Sequence, residues 1–176
     1  MGVIEARYGG PSYGGKPALA VTASLVQAGG GPENFSIAQA LTAMVGKDLV
    51  GAEVAKLTKQ YGADRVKSWL AVFDFAVKDG LSIATKAGVT LPAPSLSGKQ
   101  LAATLVMAGL DKHKTFYTEY LLDKAVSNNI HHQVMANIDA KFGEKADEDY
   151  HRITNQAMYD LAHALGAKQV KLARLH

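Results

Sequence analysis

"DRVKSWLAVFDFAV", residues 64–77, decides the fold class. Val66, Trp69, Leu70, Phe73, Ala76 and Val77 recur at i, i+3, i+4 and i+7, the spacing of one helix face rather than of an alternating strand. A stripe this bulky must be buried, so the helix is expected to open near Asp64 and to anchor a core through Trp69 and Phe73. Phe75 projects roughly opposite, where it would pack under a neighbouring segment or meet a partner.

Working outward, the same period recurs on both sides. Upstream, "IAQALTAMV" (37–45) follows Ser36, with Gln39 three residues on and Phe35 just before: a capping box with a hydrophobic staple. "DLVGAEVAKLTKQ" (48–60) reads as a helix capped by Asp48 and closed at Gly62. "ALAVTASLVQA" (18–28) reads as a helix with Pro17 in its first turn, where the missing N–H costs nothing. Downstream, the pattern resumes after Gly80 as "LSIATKA" and stops at Gly88. "VTLPAPSLS" (89–97) breaks it with two prolines. Ser97 then caps "GKQLAATLVMAGL", and "DKHK" (111–114) interrupts before "TFYTEYLLDKAVS". "NNIHHQVMANIDAKF" (128–142) ends at Gly143. The last helix is expected to open on Asp147, Glu148 and Asp149, which suit a helix N-terminus, and to run to Gly166. No alternating β-branched stretch occurs, so the expectation is all-α: a compact bundle-like domain of six to eight helices. Residues 1–15 are expected to form an irregular Gly-rich arm, residues 16–166 a single domain, and residues 167–176 a short basic tail.

Composition closes off several chemistries. The chain has 176 residues, enough for a sizeable single core. Nineteen basic and sixteen acidic residues give a net charge of only +3, which argues against nucleic acid as a partner. There is no cysteine, so disulfides, thiolate metal sites and cysteine nucleophiles are excluded. No run of eighteen apolar residues occurs, so no transmembrane segment is expected. The opening "MGVIEARYGGPSYGG" fits a mature exported chain, and a periplasmic or secreted location is favoured over the cytoplasm. Gly10, Gly15 and Lys16 have phosphate-loop spacing, but no strand precedes them and Pro17 stands where Ser or Thr is needed, so they read as part of the arm. "DAKFGEKADEDY" does not fit a calcium loop, because Lys141 occupies its third position. No G-x-S-x-G elbow is present.

The histidines are the most informative set. On a helical projection Ile130, Val134, Ile138 and Phe142 form an apolar face that includes His131 and Met135, whereas His132 lies about 100° away in water. An inward imidazole needs partners for both nitrogens. Those partners define three readings. The leading one is a non-enzymatic soluble helical binding or scaffolding protein, with a protein partner or a small apolar ligand, in which His131 is structural. The second is a haem protein with His131 as axial ligand among Met135, Tyr117 and Tyr120. The third is a helical metalloprotein or metalloenzyme using His131, His151 and Asp147. Glu148 and His151 give one E-x-x-H pair, and a carboxylate-bridged two-metal bundle needs two. On the last helix Tyr150, Ile153, Ala157, Met158, Leu161 and Leu165 form the core stripe, with Tyr159 and His163 facing outward.

Overall fold

The structure, a computed structural model, describes residues 18–110, 117–126 and 129–175. It is all-α, with eight helices among the described residues. They are α1 (Ala18–Ala28), α2 (Ile37–Val45), α3 (Lys47–Tyr61), α4 (Ala63–Lys86), α5 (Gly98–Leu110), α6 (Thr118–Val126), α7 (Ile130–Phe142) and α8 (Glu144–Leu175). None of them is long and apolar enough to cross a membrane. The expected arm, Pro17, the near-phosphate-loop glycines and the "DKHK" interruption lie outside the described residues.

Two long helices organise the rest. α4 packs against α2, α3, α6, α7 and α8, and α8 packs against α3, α4, α5 and α7. The stripe read from the sequence is the reason: Val66, Trp69, Phe73, Ala76 and Val77 are all buried, and Leu70 is half-buried. Where α4 meets α8, aromatic rings run edge to face in a chain. Trp69 meets Phe73 at 6.4 Å, Phe73 meets Tyr150 at 5.5 Å and Tyr150 meets Tyr117, just before α6, at 5.4 Å. Such pairs add about 0.5–1.5 kcal/mol each beyond the area they bury. Trp69 brings one polar atom inside, and its Nε1–H donates to Thr154 Oγ1 at 2.8 Å.

Caps set the boundaries. Ser36 Oγ accepts from the Gln39 N–H at 3.3 Å, as the sequence predicts, and Asp74 of α4 accepts from the Ile37 N–H at 2.7 Å. Ser97 and Gln100 form a reciprocal box: Ser97 Oγ accepts from the Gln100 N–H, and Gln100 Oε1 from the Ser97 N–H. The extended stretch before it is pinned to α1, because Ser24 Oγ accepts the N–H groups of Ser95 and Leu96. At Gly98 a side chain would run into the Ala43 carbonyl oxygen, so the residue lets α5 and α2 approach.

Four boundaries differ from the sequence reading. α4 runs unbroken through Gly80, because the glycine is buried where α6 and α7 cross and its bare Cα face meets Leu122, Val134 and Ile130. α3 begins at Lys47, with Gly46 rather than Asp48 as the residue before it. α8 begins at Glu144, ahead of Asp147, because Gly143, at φ 95°, both ends α7 and starts α8. Its N–H donates to the Asp139 carbonyl and its own carbonyl accepts from the Asp147 N–H. The same helix continues past Gly166 to Leu175, so the backbone of the expected tail is helical. Phe75 is half-buried: it packs on Phe142 of α7 at 5.4 Å, with Lys141 Nζ 4.7 Å from its ring.

Candidate functional site

The sequence-predicted residues gather where α6, α7 and α8 meet, and most are bound to one another or to neighbours. His131, the second residue of α7, is half-buried, and His132 beside it is exposed. The helical phase of "NNIHHQVMANID" is therefore as read. The His131 N–H donates to the carboxylate of Asp123 on α6, at 3.1 and 3.2 Å from its two oxygens. The His131 ring has its Nδ1 shielded from solvent and lies 5.3 Å from the His132 ring. Burial holds its pKa below the ordinary histidine value, against the pull of Asp123, while His132 and His151 reinforce the neutral form. Met135, one turn on, is half-buried against the core.

Tyr117 is fully inside. Its hydroxyl donates to Asn155 Oδ1 at 2.7 Å, and the His151 carbonyl oxygen lies 3.3 Å away. The His151 ring packs against both Tyr117 and Tyr150, at 5.7 and 5.3 Å. Its Nδ1 lies 3.0 Å from the Asp147 carbonyl and 3.2 Å from Asp147 Oδ1. The carboxyl of Asp139 on α7 is a neighbour of Asp147. Burial first, and that contact next, raise its pKa, with His151 opposing. The fold thus brings Tyr117, His151 and Asp147 together, with His131 near enough to feel His151. The Tyr120 side chain lies outside the described residues.

The metal reading can be set against the described residues. Among the described residues no group of three or more His, Cys, Asp or Glu is placed to hold a metal ion.

Two acids that the sequence reading passed over stand out. Glu119 of α6 is fully buried, and the Tyr150 hydroxyl lies 2.9 and 3.1 Å from its two oxygens. Burial pushes its pKa up to about 7, against a backbone hydrogen bond and Tyr150, with Asp123 and Asp147 adding to the rise. Glu53 of α3 is buried beside Asp160 of α8, and burial pushes its pKa up to about 8. A helical projection carries a faint signal for both: Glu119 lies about 60° from the core-facing Leu122, and Glu53 about 40° from Leu57 and about 60° from Val50.

Comparison with protein-family models, with curated proteins and with solved structures finds no match to this chain. The functional reading therefore rests on its own residues.

Proposed function

We propose that the chain is a non-enzymatic helical binding module that meets a protein partner through the outer face of α8. One observation carries the reading. Tyr159 is 57% exposed, and it is the exposed large hydrophobic among the described side chains, all others being covered. It does not lie loose, because its ring stacks on His163 one turn on at 4.0 Å. A pre-ordered aromatic on a rigid helix loses little side-chain entropy on contact, which is why tyrosine is enriched at binding hot spots. The interior supports the same reading. The groups suited to acid–base chemistry, Glu119, Tyr150, His151 and Asp147, are engaged across or along helices.

The test uses the full chain in its native host, with a photocrosslinking residue at position 159 and, as control, at the exposed α4 position 67. A discrete crosslinked species is expected from 159 and not from 67. Tyr159→Ala should dissolve the complex while changing stability by less than about 0.5 kcal/mol, as for an ordinary surface residue. A complex that survives Tyr159→Ala would overturn the reading. So would a purified chain that carries a whole-number complement of metal or chromophore and turns over a substrate.

A further inference from the structure

The seam between α3 and α8 holds a carboxyl pair that the binding face does not use. α3 is held by buried Val50, Glu53 and Leu57, with Leu49, Val54 and Tyr61 half-buried beside them. Asp160 of α8 lies opposite. It accepts from Gln156 Nε2 at 2.9 Å and pairs with Lys56 Nζ at 2.9 Å. Glu53, one turn from Lys56 and lining the same cavity as Ala157 and Leu161, completes the set, with its carboxyl placed to hydrogen-bond that of Asp160. Two carboxyl groups bond only when one of them carries a proton, since an ionised carboxylate is an acceptor alone. Asp160 has cationic and amide donors already, so Asp160 is the anion and Glu53 is the acid that donates to it.

Glu53 is also a wall. With Ala38, Leu41, Leu57, Trp69 and Leu161 it lines an otherwise apolar cavity of about 10 Å³, the space of one water molecule. Its remaining oxygen, Oε1, is shielded from solvent and has no hydrogen-bond partner among the described residues. A neutral acid tolerates that position, whereas a carboxylate there would be a buried charge with an unpaired face.

We propose that Glu53 and Asp160 form a protonic latch: their shared proton holds α3 against α8 and keeps the cavity over Trp69 closed, and removing it opens that cavity. The charged groups facing the pair are few. α3 contributes Glu53 and Lys56, and α8 contributes Asp160. The residues that α2 and α4 bring to the cavity, Ala38, Leu41, Trp69 and Leu70, carry no charge. Burial, then the bond to Asp160, then its charge raise the Glu53 acid, and Lys56 pulls the other way. A group whose folded pKa is raised holds its stabilising proton below its unfolded value and loses it as pH climbs through about 8. Above that, two carboxylates face each other across the seam with one ammonium between them. Glu53, at 9% exposure, lies at the protein boundary and turns outward.

Trp69 reports the event directly, because it lines the cavity and is the single tryptophan of the chain. The experiment is acrylamide quenching of its fluorescence on the full chain between about pH 6 and pH 9.5, below the ordinary tyrosine titration, with far-UV circular dichroism in parallel. Quenching is expected to rise several-fold with a midpoint near the Glu53 value while helicity stays unchanged. Glu53→Gln keeps the shape and a donor for Asp160 but has no proton to lose, so its profile should be flat. Glu53→Leu, neutral without the bond, should be flat as well, which preserves the test if either variant folds poorly. Asp160→Asn removes the facing anion and should shift the wild-type midpoint downward. A wild-type profile that is flat across the range would overturn the latch, as would an unchanged transition in both Glu53 variants.

Discussion

Glu119→Gln isolates the chemistry of the deepest acid in the fold. The Glu119 carboxyl is fully buried, with the Tyr150 hydroxyl between its oxygens, and its pKa stands at about 7 against 4.5 for an ordinary glutamate. For an acid raised in the folded state the sign is fixed. The folded chain keeps a proton that the unfolded chain has released, so stability from this group is complete below the unfolded value and drains away as pH rises through the folded one. Each unit of displacement corresponds to about 1.4 kcal/mol, so the total comes to about 3 kcal/mol, an order-of-magnitude figure. Glutamine copies the protonated acid in shape and still accepts from Tyr150. It has nothing to titrate. The assay is urea unfolding of wild type and variant at a series of pH values, read as the difference between them. Differencing cancels the other titrating groups, among them His131, whose lowered pKa works in the opposite sense: it favours the fold at higher pH and costs stability as pH falls. The variant should gain on wild type by about 3 kcal/mol between about pH 5 and pH 8, whatever constant offset the amide introduces. A difference that stays level across that window would show that Glu119 ionises normally, and that the pocket around Tyr150 is wetter than its geometry indicates.

Two further outcomes follow from packing. Trp69→Ala should cost about 3–5 kcal/mol in urea unfolding, because it empties the meeting point of α4 and α8 and leaves Thr154 without its indole donor; a loss under about 1 kcal/mol would mean that the stripe is not core. His131→Ala should cost about 1–3 kcal/mol by the same measure, since its ring turns a shielded nitrogen inward, whereas His132→Ala should stay within about 0.5 kcal/mol. Equal losses at the two positions would contradict the helical phase of α7.

Periodicity carried the fold because burial on a helix is a one-dimensional property. The residues that must leave water repeat every three or four positions, and "DRVKSWLAVFDFAV" states this without reference to any other part of the chain. Caps were legible for the same reason: Ser36 with Gln39 and Ser97 with Gln100 bond within one turn, so spacing alone specifies them. The helix junctions were less so. Gly80 and Gly166 read as stops because glycine lowers helix propensity by about 1 kcal/mol. Each instead lies inside a longer helix, and at Gly80 the packing of α6 and α7 across the bare backbone outweighs that cost. Gly143 and Gly46 do break the chain, and the sequence pattern marks all four alike.

The site was legible only in part, and the missing part is electrostatic. His131 was readable as inward because its neighbours on α7 are apolar. That its ring should be neutral, and that Asp123 should take its backbone N–H, depends on what α6 places opposite. Glu119 and Glu53 show the limit more sharply. A glutamate on an amphipathic helix is ordinarily a solvent-facing charge, and "TEYLLDKAV" and "KDLVGAEVAKL" place each one only beside the apolar stripe, without saying what it meets there. Each becomes a buried acid only because α8 supplies a partner across the seam, Tyr150 in one case and Asp160 in the other. The separations in sequence, 31 positions for Glu119 and Tyr150, are unrelated to helical period. α8 is therefore more than the longest helix. It carries the partner of each raised glutamate on its inner faces and Tyr159 on its outer one, so both buried acids and the proposed binding surface meet on one helix.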